Sequence, residues 1–274
     1  MNKYIFYTIL FLIGFVGTYI SIPLFKNLLI NSNVVRPNYK NDMIPVSMGI
    51  VFLPMIIINS IILVYFTTEY KNLMFIFIFI FGIMSMFLAG ILDDIIGNRD
   101  VSGLKGHFKS LFKGNLTTGG FKAVFGGFVG ILVSVVISKS ILDIIINTLI
   151  IALSTNLMNL LDLRPGRAIK VYLVIIISIF TTLTGYIKVL PLLILPNVLA
   201  YFKYDLKAKA MMGDTGSNVL GISIGILMVL GYSFNIRLTW LVFLVLIHLL
   251  TEKYSLTKII ENNKVLNFID KLGR

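Results

Sequence analysis

The 274-residue chain is 57% hydrophobic and only 13% charged, and its mean hydropathy is +0.94. Soluble domains run near 45–50% apolar and about 25% charged, so an ordinary soluble fold is excluded. Cysteine is absent, which removes disulfides, thiolate metal sites and thiol nucleophiles; the formal charge of +12, scattered among apolar runs, points to basic loops facing anionic headgroups and to no nucleic acid partner.

A helix needs about 20 apolar residues to cross the bilayer core. Nine segments approach or meet that length: 4–25, 45–66, 73–92, 119–138, 141–161, 170–186, 188–202, 217–235 and 237–251. The first follows Lys3 as a signal peptide would, but it is too long and lacks a small-residue cleavage site, so it reads as an anchor. The seventh is short and carries Pro191 and Pro196, which predicts a kinked or partly re-entrant segment. After Tyr254, the residues Leu256, Ile259, Ile260, Leu266, Ile269 and Leu272 recur at roughly helical spacing among Lys, Asn and Asp. That spacing predicts an amphipathic cytoplasmic tail at 254–274, lying on the inner headgroups. The expected architecture is an all-α polytopic membrane protein of about nine transmembrane helices, forming a single domain over 1–274.

Orientation follows from the basic residues. With the N-terminus outside, the loops at 26–44, 93–122, 162–170 and 203–216 share one face with the tail from 252. Of the 24 Lys and Arg, only Lys3, Lys71, Lys139, Lys188 and Arg237 remain on the other face, so the basic face is expected to be cytoplasmic. Ten of the 12 acidic residues lie there too, all but Glu69 and Asp143, although acidic residues have little influence on topology. A proton pump or ion-coupled carrier would keep carboxylates near the midplane, where these spans have none. Chemistry is therefore expected at the cytoplasmic surface.

Three polar clusters stand at that surface. Asp93 and Asp94 close the third span, where adjacent carboxylates repel each other and oppose the helix dipole. They read either as a solvated cap or as a metal site or general base. Asn156, Asn159 and Asp162 follow at i, i+3 and i+6 on one side of the fifth span; they read as an interhelical hydrogen-bond patch or as the wall of a nucleotide or metal site. Met212-Gly213-Asp214-Thr215-Gly216-Ser217 opens the eighth span. Its glycines permit tight turns, free N–H groups at the helix start attract phosphate, and Asp214 suits Mg²⁺ held against that phosphate. An N-cap explains any one of these residues, but not three clusters on one face. Lys40, Lys105, Lys109, Arg164 and Arg167 interleave with them; Lys40 and Lys109 flank the acids most closely, while His107 and His248 read as ordinary loop and packing residues.

In this arrangement the chain resembles the polyprenyl-phosphate N-acetylhexosamine-1-phosphate transferases, of the phospho-N-acetylmuramoyl-pentapeptide-transferase type. The resemblance runs from about Arg36 to His248. It rests on Pro45-Val46-Ser47-Met48-Gly49, on Asp93-Asp94 with Gly103-Leu104 and Lys109, on Asn156-x-x-Asn159-x-x-Asp162, and on Met212 to Ser217 with Leu220-Gly221. It implies a Mg²⁺-dependent transfer of a sugar 1-phosphate from a UDP-sugar to undecaprenyl phosphate, releasing UMP, at the cytoplasmic face of a bacterial plasma membrane during cell-envelope synthesis. A homodimer is a candidate assembly. In that reading Asp214 binds Mg²⁺, and Asp93 and Asp94 orient or deprotonate the lipid phosphate. Asp162 joins them in catalysis, Lys109 and Lys40 neutralise phosphates, and Asn156 and Asn159 line the nucleotide side. Gly213, Thr215 and Ser217 contact phosphate, with Arg164 and Arg167 as additional phosphate ligands. The chain departs from the family pattern where Pro165 takes the place of a second carboxylate, in lacking a His-rich loop after the ninth span, and in lacking a tenth span. Those departures define the alternative: a catalytically silent paralogue that binds polyprenyl phosphate or an envelope-assembly partner.

Overall fold

The computed structural model describes residues 2–97, 114 and 117–274. Among the described residues the chain opens with α1 (Lys3–Asn31), a small antiparallel hairpin of β1 (Val35–Pro37) and β2 (Met43–Pro45), and a 3₁₀ turn at Met48–Phe52 that runs into α2 (Leu53–Tyr65). Then come α3 (Tyr70–Ile96), α4 (Thr118–Ile137), α5 (Ile141–Leu161) and α6 (Arg167–Thr182). A second 3₁₀ stretch at Tyr186–Leu193 leads to α7 (Leu195–Leu206), followed by α8 (Gly213–Gly231), α9 (Phe234–Lys253), α10 (Leu256–Asn262) and α11 (Lys264–Lys271).

Eight of these stretches are long and apolar enough to cross a membrane; α6, with 16 residues, is the shorter ninth. The protein is thus an all-α, multi-pass membrane protein, and each of the nine apolar segments forms a helix. In the seventh, the 3₁₀ stretch containing Pro191 breaks at Ile194 and α7 restarts with Pro196 in its first turn, where a missing N–H costs nothing. The sequence pattern did not show the hairpin, which displaces the start of the second span to Met48. The tail also differs from the single amphipathic helix expected. It breaks at Asn263, whose side chain caps α11 by accepting from the N–H groups of Val265 and Leu266, both at 3.1 Å.

The core centres on α8, whose residues from Thr215 to Val229 are buried against α3 and α5 on either side. Lipid is as apolar as leucine, so burial alone does not hold such helices together; close packing and interhelical hydrogen bonds do. Asn59 donates to the Leu10 carbonyl at 2.9 Å, joining α2 to α1, and Trp240 donates to Ser154 at 3.2 Å, joining α9 to α5. Arg237 pairs with Asp143 at 2.7 Å at one end of the bundle. The opposite end gathers the C-termini of α3, α5 and α7, the N-termini of α4, α6 and α8, and the hairpin.

Candidate active site

The site is organised by the start of α8. Gly213 sits at φ +72°, and a Cβ there would collide with the Asp94 carboxylate, so only glycine fits. Asp94 reaches across from the end of α3. One carboxylate oxygen accepts the Asp214 N–H at 3.0 Å; the other accepts the Thr215 N–H at 3.0 Å and the Thr215 hydroxyl at 2.6 Å. Gly90 makes this approach feasible, because a Cβ on it would strike the Asp214 backbone. A carboxylate opposes the dipole of the helix whose C-terminus carries it, but it is stabilised at another helix's N-terminus. Asp94 is therefore the cap of α8, and Arg36 in turn donates to the Asp94 carbonyl at 2.8 Å.

Asp93 faces elsewhere. Lys122, one turn into α4, donates to Asp93 at 3.2 Å and also to Asp214, so a single ammonium joins the two carboxylates. Lys122, not Lys40, is thus the described lysine that pairs with these acids. Its signal was a lone Lys inside an apolar span, a costly placement unless an acid pairs with it.

A cavity of about 220 Å³ opens beside Asp214. Its wall includes Asn38 and Tyr39 of the hairpin turn, Asp94, Asn159, Asp162, Leu163, Arg164, Pro165, Asp205, Gly213 and Asp214. The hairpin is held there because Asn38 folds its own turn, accepting from the Lys40 and Asp42 N–H groups at 2.8 and 3.0 Å, and because Met211 donates to the Pro45 carbonyl at 2.8 Å. Asp205, also passed over in the sequence, is buried and accepts the Gly166 N–H at 2.7 Å. Burial pushes the Asp162 carboxyl well above the usual carboxylate range, and the neighbouring charges of Asp205, Asp214 and Asp94 push it the same way.

The structure sorts the remaining expected residues. Asn159 lines the cavity but also accepts from Ser217 at 2.6 Å and donates to Asn218 at 2.9 Å, so it is equally an interhelical tie. Thr215 and Ser217 are fully buried, and their hydroxyls serve Asp94, Ser47 and Asn159; they shape the turn and do not face the cavity. Asn156 is half-buried and outside the cavity wall. Lys40 is exposed, its ammonium 5.5 Å from the centre of the Tyr39 ring at the cavity's edge. Arg164 lines the cavity, whereas Arg167 does not: it is 3% exposed and bound by both carboxylate oxygens of Asp270, so the expected phosphate contact gives way to a structural ion pair. Lys109, with Lys105 and His107, lies outside the described residues.

Residues 76–232 match the sequence model of glycosyl transferase family 4, more than half of the chain, and the match runs from within α3 to the end of α8 with every carboxylate of the cavity. The chain belongs to glycosyl transferase family 4. The resemblance to polyprenyl-phosphate sugar-phosphate transferases, read from four motifs, is thereby borne out. No curated protein matches the sequence.

For this family 4 transferase the donor set bears on a divalent cation. Among the described residues, no three His, Asp or Glu side chains converge as a metal cluster. Asp93 and Asp214 nevertheless converge on one cation, the Lys122 ammonium. Mg²⁺ prefers hard oxygens and commonly takes one or two carboxylates, completing its shell with phosphate oxygens and water. The oxygen-only donors at Asp214 and Asp93 fit that requirement.

Proposed function

We propose that the protein transfers a sugar 1-phosphate from a UDP-sugar to a polyprenyl phosphate such as undecaprenyl phosphate, releasing UMP, at the cytoplasmic face of a bacterial plasma membrane. The observation that carries this reading is the cavity in which Asp94, Asp162, Asp205 and Asp214 meet, next to the Lys122 bridge. So many acids repel a dianionic pyrophosphate unless cations offset their charge. Asp214 and Asp93 would hold Mg²⁺, which would supply charge neutralisation at the pyrophosphate.

The chain's own residues do the rest. An oxygen of the acceptor phosphate attacks the β-phosphorus of the donor, and the bond from that phosphorus to the bridging oxygen breaks. UMP leaves with that oxygen, and the sugar phosphate stays on the lipid as a diphosphate. Lys122 neutralises charge beside Asp214, and Asp93, at the membrane surface, is the carboxylate that faces the acceptor phosphate. Asp94 keeps the Gly213–Thr215 turn in place, and Asn159, Asp162 and Arg164 line the donor side. Phosphoryl transfer depends mainly on positioning and charge neutralisation, and these groups supply both. Calorimetric titration of the detergent-solubilised protein with UMP tests the reading: binding should require Mg²⁺. Failure to bind UMP with Mg²⁺ present would favour the silent paralogue, to which Pro165 in place of a carboxylate points.

A further inference from the structure

We infer that the tail is a clasp that sets the donor side of the cavity, and that Arg274, Asp270 and Arg167 are positioning residues for the nucleotide. This rests on the reading of the cavity as the donor site. The Arg167 guanidinium binds Asp270 at 2.8 and 2.9 Å, and its third nitrogen donates to Thr257 at 2.9 Å. Asp270 is 6% exposed in a tail whose other residues lie largely on the surface. Lys170 donates to the Ile269 and Asp270 carbonyls at 2.9 and 2.8 Å, satisfying the otherwise open end of α11. A bidentate pair of this kind fixes geometry, and removing one partner leaves an uncompensated buried charge.

What lifts the clasp above a simple tether is its contact with the cavity wall. Arg274 contacts Asp270 at 2.9 Å and donates through Nε to the carbonyl of Pro165 at 2.8 Å. Pro165 is a wall residue of the cavity, next to Arg164 and Leu163. A second tail contact reaches the same loop, with Arg164 3.6 Å from Glu261. From the other side, buried Asp205 holds the Gly166 N–H, at a residue whose φ of +74° favours glycine. The loop at 162–166 is thus gripped between α7 within the bundle and the tail outside it. The tail thus reaches both Arg164 and Pro165 of the cavity wall.

The test uses the 274-residue chain in detergent and the variant Arg274→Ala, which removes the Pro165 contact and leaves the Arg167–Asp270 pair. Amide hydrogen exchange reads the loop without any ligand, and calorimetry with UMP and Mg²⁺ reads the cavity. Exchange at Gly166 and Arg167, whose N–H groups are held by Asp205 and by the Arg164 carbonyl, should rise at least about tenfold while α3, α5 and α8 stay protected, since exchange resolves local opening from global unfolding. UMP affinity should fall about fivefold, with KM for the lipid acceptor unchanged. Unaltered loop exchange, a looser loop with unaltered UMP affinity, or faster exchange throughout the bundle would each overturn the clasp. If the wild type binds no UMP, the donor reading fails on its own, and exchange confined to the loop still decides whether the tail holds it.

Discussion

Replacing Asp94 with Asn should destabilise the protein, although it relieves repulsion among clustered acids. Asn keeps one carbonyl oxygen and puts an NH₂ group where the second carboxylate oxygen stood. Asp94 accepts three hydrogen bonds, from the Asp214 and Thr215 N–H groups at 3.0 Å and the Thr215 hydroxyl at 2.6 Å. In the variant an amide N–H must face a backbone N–H, so at least one bond to a charged acceptor is lost, at about 1.5–3 kcal/mol. Loss of the anion at the α8 N-terminus adds about 0.3–1 kcal/mol. Relief of repulsion from Asp93, Asp162 and Asp214 works the other way by about 1 kcal/mol per exposed pair at 4 Å in water, and less at greater separation. The net expectation is a loss of roughly 1–3 kcal/mol. Thermal unfolding in detergent, followed through the single Trp240, should show a lower Tm and reduced activity together. A Tm equal to or above the wild type would refute the capping role and restore the view of Asp94 as a free, repelled carboxylate.

Asp93→Asn and Lys122→Met should each lower turnover at least about a hundredfold with folding intact, the scale for losing one positioned charge or proton-transfer group; wild-type rates in a UMP-release assay would remove either from the machinery. Arg164→Lys should preserve insertion and orientation but weaken UMP binding about tenfold, or 1.4 kcal/mol, because a point charge does not reproduce the planar fork; unchanged calorimetric affinity would make Arg164 a topological residue. Asp162→Asn should raise Tm at neutral pH. Burial and the charges of Asp205, Asp214 and Asp94 hold the Asp162 carboxyl well above its unfolded value, so the folded protein binds that proton first as pH falls, and wild-type stability rises through the folded pKa. The variant should flatten that rise, and a pH–Tm curve parallel to the wild type would contradict it.

Much of this was legible because a bilayer leaves few options. Apolar length marked the nine segments, and Pro191 with Pro196 marked the break in the seventh. The three polar clusters stood out because acids among apolar helices are rare, and they do converge at one end of the bundle. What stayed hidden depends on pairings distant in sequence. Asp94 looks unfavourable on its own helix and is explained only by the start of α8, 120 residues away. Lys122 and Asp205 looked incidental until their partners were in place. Thr215 and Ser217 suggest phosphate ligands by type, but their hydroxyls are taken up inside the turn. Arg167 matched a phosphate ligand in residue type and loop position; only the tail's return to α6 shows that Asp270 already holds it. The hairpin at Val35–Pro45 has three-residue strands, too short for an alternating pattern to register.

The central claim is tested most directly by UMP release from a panel of UDP-sugars, with and without undecaprenyl phosphate and Mg²⁺, comparing the wild type with Asp214→Asn. The amide keeps the shape of the side chain and removes the charge that faces Lys122. The account predicts release with at least one UDP-sugar that needs both the lipid acceptor and Mg²⁺, and none above background in the folded variant. Release at the wild-type rate by Asp214→Asn, or no release by the wild type with any donor, would contradict it.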